Sequence, residues 1–263
     1  MASDQPYLAA CLVYRNEASY LREWLEFHRL VGFERFFLYD SGSTDDHESV
    51  LAPYVEKGIV TMHRRPGEAH QYGSFQHCLD HHRDDARWIA FIDTDEFLFS
   101  PRGRPVPELL ADFEDFPAVG VNQAIFGTGG HEQRPPGLVI ESYLYRSGNP
   151  DVRMVKNIVD PQRTTGIVNA HSFVHTEGER VDVLKRPFRG RDSEDVRFSR
   201  LRLNHYYTKS REEMAEKWSR TEADTGDMRD PKHFEEHLSH ESRFVRDEVI
   251  LQYVPALKAA LAS

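Results

Sequence analysis

Four short apolar runs in the first hundred residues, separated by stretches of helical periodicity, constrain this chain more than any other feature of its 263 residues. Residues 8–14 form a run of strand formers, and Tyr20, Trp24, Phe27 and Val31 follow at helical spacing, with Ser19 as the expected cap and Gly32 as the stop. A second run at 33–39 halts at Asp40-Ser41-Gly42-Ser43-Thr44-Asp45, the turn chemistry of a strand's carboxyl end. The rhythm repeats with a helix over 49–56, a strand over 58–63, a helix over 75–83 and a strand over 88–92. Such alternation predicts an α/β fold with a mixed, mainly parallel sheet flanked by helices, in which ligands gather beyond the strands' carboxyl ends. Asp40 and Asp93 both fall at such ends and are expected to share a pocket.

Past residue 100 the pattern loosens, with turn clusters at 127–130, 135–137 and 147–150 and apolar runs at 119–126, 152–159 and 201–207. Ser210 and Glu213 form a capping-box pattern that opens a helix expected to run through Arg220, and a last helix is expected over 241–261. No repeat, low-complexity tract or linker breaks the chain. One domain is therefore expected, with residues 8–100 binding a nucleotide, 101–220 shaping an acceptor site and 221–263 closing it with helix.

A net charge of -10 opposes a broad footprint for nucleic acid or an anionic membrane, so an anionic substrate needs a local basic pocket or a metal. Cys11 and Cys78 lie far apart and suggest neither a disulfide framework nor a zinc knuckle. Without a leader-like start or a long apolar run, the chain is expected in the cytoplasm, at most peripheral at the inner membrane face, with no transmembrane segment.

Phe91-Ile92-Asp93-Thr94-Asp95-Glu96-Phe97 carries the chemistry. On extended backbone Asp93 and Asp95 project from one side and Thr94 from the other, so two hard oxygen ligands stand together. Their repulsion calls for a cation or proton, and Mg²⁺ or Mn²⁺ suits all-oxygen surroundings completed by substrate phosphates. The competing reading is an acidic turn that merely caps a buried strand. Asp40 either accepts hydrogen bonds from a nucleoside or caps a turn, and Arg15, just past the first strand, either meets phosphate or stays on the surface.

Taken in order, Tyr14-Arg15-Asn16-Glu17, Asp40 through Asp45, Asp93 through Phe97, Gly127-Thr128-Gly129-Gly130-His131, Val155-Lys156-Asn157 and Asn204-His205-Tyr206-Tyr207-Thr208-Lys209 resemble the GT-A glycosyltransferases, and within them family 92 and related family-2-like enzymes. The resemblance covers residues 8–220. It implies a Rossmann-like half that binds a nucleotide-diphosphate sugar, a UDP-sugar in the first instance, and a half that binds a glycan or small-molecule acceptor. It implies inversion at the anomeric carbon and a divalent Mn²⁺ or Mg²⁺ cofactor on Asp93, Asp95 and His205, with Asp95 the direct ligand and His171 an alternative to His205. Tyr14, Arg15, Glu17, Asp40, Asp93, Thr94, Lys156 and Lys209 are the donor-binding candidates it carries over. By residue type alone, His205 is as readily a hydrogen-bonded core histidine, and Lys156 and Lys209 are solvated surface charges.

Transfer through an oxocarbenium-like transition state needs stabilisation of the departing diphosphate and a base near the acceptor hydroxyl. Glu132 and His131 in the glycine-rich turn are the candidates for that base, with Glu96 a third candidate or an orienting residue. The rivals are a non-catalytic sugar-nucleotide or carbohydrate-binding protein, a haloacid-dehalogenase-type phosphatase and a nucleotidyltransferase. The phosphatase motif normally follows the first strand rather than the fourth, and no glycine-rich phosphate loop with a basic tail follows the first strand here.

Overall fold

Alternation in the first ninety residues produces parallel pairing. In the computed structural model, which describes residues 5–66, 71–219, 228, 230 and 241–263, the order is β1 (Leu8–Tyr14), α1 (Ala18–Leu30), β2 (Arg35–Asp40), α2 (His47–Glu56), β3 (Val60–Arg64), α3 (Gln71–His82) and β4 (Trp88–Phe91). The chain builds outward from β1 through β2 to β3, then returns to the far side of β1 for β4, all four strands parallel. That reversal leaves a crevice at the carboxyl edge beside β1, where open α/β sheets bind ligands.

The remaining strands extend the same sheet. They are β5 (Glu96–Phe99), β6 (Ala118–Ile125), β8 (Val155–Val159), β11 (Val181–Asp182) and β12 (Arg202–His205), and the sheet runs β3-β2-β1-β4-β8-β6-β12-β5, with β11 beside the start of β6. Both β4 and β6 pair antiparallel with β8, β12 lies parallel to β6, and β5 returns antiparallel to β12. The expected mixed, mainly parallel sheet flanked by helices is thus observed. Strands β7 (Tyr145–Arg146) with β13 (Val245–Arg246), and β9 (Thr164–Asn169) with β10 (Ser172–His175), form two small accessory ribbons. Short helices α4 (Val106–Leu110) and α5 (Val139–Ser142), then α6 (Arg211–Trp218) and α7 (Val254–Ala262), complete the described elements.

Strand alternation divides the core. Leu8, Ala10 and Leu12 face a large cluster with Trp24, Phe27 and Phe36, while Ala9 and Cys11 face Phe75, Cys78 and Phe91 beneath α3. Both cysteines are free and buried.

Three boundaries depart from expectation. Ser19 does not cap α1; the helix starts at Ala18, whose N–H donates to Asp45 Oδ2 at 2.8 Å, so the cap comes from the turn after β2. The last helix is only α7, because residues 249–253 form a 3₁₀ turn and Val245–Arg246 pairs with β7; Pro255 suits the first turn of a helix starting at Val254. The Ser210–Glu213 capping box is present, and α6 is described to Trp218; Arg220 and most of the expected 221–263 segment before Glu241 lie outside the described residues.

Candidate functional site

Strand β4 ends at Phe91 and β5 starts at Glu96, so Asp93-Thr94-Asp95 is a turn and not the extended segment expected. Glu96 N–H donates to Asp93 O at 3.1 Å, and the buried Trp24 indole donates to the carbonyls of Asp93 and Glu96 at 3.0 and 2.9 Å. Because a turn does not follow the two-residue strand period, the two aspartates find different partners.

Asp93 is held between β8 and α3. Its Oδ2 accepts from Lys156 Nζ at 2.6 Å and its Oδ1 from Gln71 Nε2 at 2.9 Å. Lys156 is only 2% exposed, which corrects its reading as a solvated surface charge. Burial alone would favour the neutral amine, but Asp93 and Glu96 outweigh it and hold the ammonium above the ordinary lysine range. Glu96 is fully buried beneath the turn: Oε2 accepts from Asp93 N–H at 2.8 Å and Oε1 from Gln123 Nε2 at 3.0 Å, while Lys156 Nζ stands 3.5 Å away. Burial pushes its carboxyl up to about 7 against the pull of Lys156.

Asp95 is held from the other side. Lys217 Nζ, on the last turn of α6, donates to its Oδ2 at 2.7 Å and to Tyr207 O at 2.9 Å. Its Oδ1 faces His205 Nε2 at 3.4 Å. Burial would raise the Asp95 carboxyl, but Lys217, His205 and Lys209 hold it well below the usual carboxylate range. His205 ends β12 opposite Glu96 of β5, and its Nδ1 lies 3.2 Å from Gln123 Oε1, which turns Nε2 toward Asp95.

The donor-binding candidates lie along the same edge. Tyr14 and Asp40 end the paired strands β1 and β2. Tyr14 Oη bonds His47 Nδ1 at 2.8 Å, and Asp40 Oδ1 accepts from Ser43 N–H at 2.7 Å, so Asp40 caps its turn while remaining at the crevice. Asn16, at φ +57°, ties the two loops together: its N–H donates to Ser43 Oγ and its Oδ1 accepts from Thr44 N–H. Arg15 is exposed and forms no ion pair with a described residue; Thr94 is buried. Lys209, at φ +51°, lies 3.4 Å over the Tyr20 ring and 3.5 Å from Glu17 Oε2, a buried position rather than a solvated one.

Other candidates stand apart from the aspartates. His171 gives Nδ1 to Val155 O at 2.8 Å, and burial pushes its imidazole down to about 4; no contact joins it to Asp95. His131 Nε2 faces Ser142 O at 3.2 Å. Glu132 is exposed and pairs with Arg211 at 3.2 Å, and the carbonyls of His131 and Glu132 accept the first N–H groups of α6. The glycine-rich turn therefore supports α6, whose other end carries Lys217. A pocket of about 320 Å³ lined by Ser100, Arg102, Arg104, Leu109, Ser199 and Arg200 lies at the opposite end of the β5–β12 pair from His205 and Asp95.

Sequence reasoning missed Lys217, Gln71, Gln123 and Trp24 as site residues. Lys217 left a signal: it is three residues from Met214 and one from Trp218, the buried stripe of α6, where a lysine needs an anion. Gln71 and Gln123 left none, since an amide's partner depends on which strand lies beside it.

Among the described residues no three His, Cys, Asp or Glu side chains converge to enclose a metal ion. Asp95 Oδ1 and His205 Nε2 nevertheless suit one cation completed by phosphate oxygens. Two donors about 2.1 Å from a shared ion stand about 3.0–3.4 Å apart, which matches their separation. Both oxygens of Asp93 are engaged within the protein, Oδ2 by Lys156 and Oδ1 by Gln71.

The model of glycosyltransferase family 92 matches residues 7–241. A glycosyltransferase family 92 protein of Oryza sativa subsp. japonica is 32% identical over 65% of this chain and 30% of its own length. A galactan beta-1,4-galactosyltransferase of Arabidopsis thaliana is 30% identical over 46% of this chain and 25% of its own. The chain spans about a third of the length of the family 92 relatives it matches. Among solved structures, S. aureus TarS 1–349 in complex with UDP aligns at 12% identity and a TM-score of 0.42, covering 59% of this chain and 47% of that one.

Proposed function

Because this chain belongs to glycosyltransferase family 92, we propose that it transfers a sugar, with inversion, from a nucleoside-diphosphate donor to a hydroxyl of a glycan or small acceptor. The observation that carries the reading is the acidic turn at the carboxyl edge of β4, its aspartates set against two lysines and a histidine drawn from β8, α6 and β12. A turn that merely capped β4 would not gather two ammonium groups and an imidazole from three distant elements.

The nucleoside lies along the ends of β1 and β2, where Tyr14, Asp40 and the Asn16-braced loops form the rim and Arg15 meets phosphate. Glu17 and Thr94 line the same rim, and Lys209 stands near the diphosphate. Asp95 and His205 would hold a divalent Mn²⁺ or Mg²⁺, which would supply positive charge for the departing diphosphate. Lys156 fixes Asp93, and the buried Glu96 orients the turn by accepting from Asp93 N–H. Of the base candidates, Glu132 alone combines a carboxylate with exposure to solvent, so acceptor deprotonation is assigned there. It sits at the start of α6, five residues of helix, or about 8 Å of rise, from the level of Lys217.

No helix among the described residues is long and apolar enough to cross a membrane. The test of the reaction is UDP release from UDP-sugars, UDP-galactose first, with Mn²⁺ and an acceptor panel. Acceptor-dependent UDP supports transfer. Donor binding without turnover would leave a binding module, and formation of UTP from the UDP-sugar and added pyrophosphate would indicate a nucleotidyltransferase.

A further inference from the structure

Among the described residues, each aspartate of the acidic turn already has an ammonium partner from the protein itself. Two aspartates, Asp93 and Asp95, meet two ammonium groups, Lys156 at 2.6 Å and Lys217 at 2.7 Å. A divalent cation added to that set leaves an excess of positive charge near the Lys217 ammonium, and a diphosphate supplies the missing negative charge. Cation and nucleotide are thus disfavoured separately and favoured together.

The two lysines are not equivalent. Lys156 is the second residue of β8, a strand whose five residues are all buried, and its side chain is only 2% exposed. Lys217 sits on the final turn of α6, its side chain 29% exposed, reaching Asp95 and Tyr207 O from a helix end and passing 4.3 Å from the Tyr207 ring centre. Lys217 bonds Asp95 Oδ2, whereas His205 faces Oδ1, so the lysine does not block the histidine side. Its long, flexible stem suits a charge that changes partner.

We propose that Lys217 is a tethered counter-ion: it holds Asp95 while the site lacks donor, and it passes to the donor's diphosphate when a divalent cation takes up Asp95 and His205. This rests on the reading of the site as a cation-assisted diphosphate site and adds the device that couples the two ligands. Lys217 is a positioning residue, acting through Asp95 before donor binds and through the diphosphate after.

The experiment is Mn²⁺ binding followed by loss of the free-ion electron paramagnetic resonance signal, with and without UDP, on the full chain and on Lys217→Met, Lys217→Arg and Asp95→Asn, each checked for native circular dichroism. The full chain is expected to bind Mn²⁺ weakly alone and about tenfold or more tightly with UDP, the coupling typical of linked sites. Lys217→Met is expected to bind Mn²⁺ more tightly than the full chain without UDP and to lose most of the enhancement, while Lys217→Arg retains it. Unchanged or weaker Mn²⁺ binding by Lys217→Met without UDP overturns the proposal while leaving the cation site standing. Failure of the full chain to bind Mn²⁺ even with UDP, or equal binding by Asp95→Asn, overturns the cation reading itself and this proposal with it.

Discussion

Lys156 Nζ lies 2.6 Å from Asp93 Oδ2, although the two residues are 63 positions apart. Antiparallel pairing of β8 with β4, Asn157 opposite Phe91, brings the lysine past the end of β4 and under the acidic turn. The ammonium is 2% exposed, so the contact is part of the folded core as much as of the site.

Replacing Lys156 by Met is therefore expected to destabilise the chain by about 3 kcal/mol, because it leaves Asp93 and Glu96 without their buried cation. Asp93 keeps partial access to water, which places the cost at the low end for a broken buried pair. Denaturant unfolding measures it, and adding Glu96→Gln to the variant should recover part of the loss. Wild-type stability in Lys156→Met would show that the pair contributes nothing.

Asp95→Asn should leave the fold intact, since Tyr206 N–H still donates to the main-chain carbonyl of residue 95 and the amide oxygen still accepts from Lys217. Mn²⁺-dependent turnover of a UDP-sugar should fall by more than the ~100-fold that loss of an outer partner of a metal ligand costs. Full turnover in this variant would falsify the assignment of Asp95.

Glu23 gives a pH prediction independent of the acidic turn. Its buried carboxylate accepts from Val139 N–H at 2.9 Å and Ile140 N–H at 3.2 Å, and burial pushes its pKa up to about 7 from 4.5. A raised carboxyl pKa means that the folded state keeps a proton the unfolded chain releases. The stability Glu23 contributes is therefore fully present below pH 4.5 and lost as pH rises to about 7. Relative to Glu23→Gln, the full chain should lose on the order of 3 kcal/mol across that window, given 1.36 kcal/mol per unit. A pH-independent difference between the two proteins would sink this account of Glu23.

Local pattern determined much of this protein. The apolar run of β1, the spacing of Tyr20, Trp24 and Phe27 in α1, and the Ser210–Glu213 capping box all survive into the structure, because strand period, helix period and cap chemistry act within a few residues. Placing Asp40 and Asp93 at the carboxyl ends of strands was equally legible, as was the arrival of His205 beside Asp95 through the family resemblance. Only tertiary structure decided that the aspartates of the acidic turn pair with Lys156 and Lys217, that Glu96 lies beneath it, and that Asp45 rather than Ser19 caps α1. Those outcomes depend on sheet order and on the docking of α6, which join residues as far as 122 positions apart. A charge declares its type in the sequence, but the carboxylate it neutralises is chosen by whichever strand or helix end the fold brings within about 3 Å.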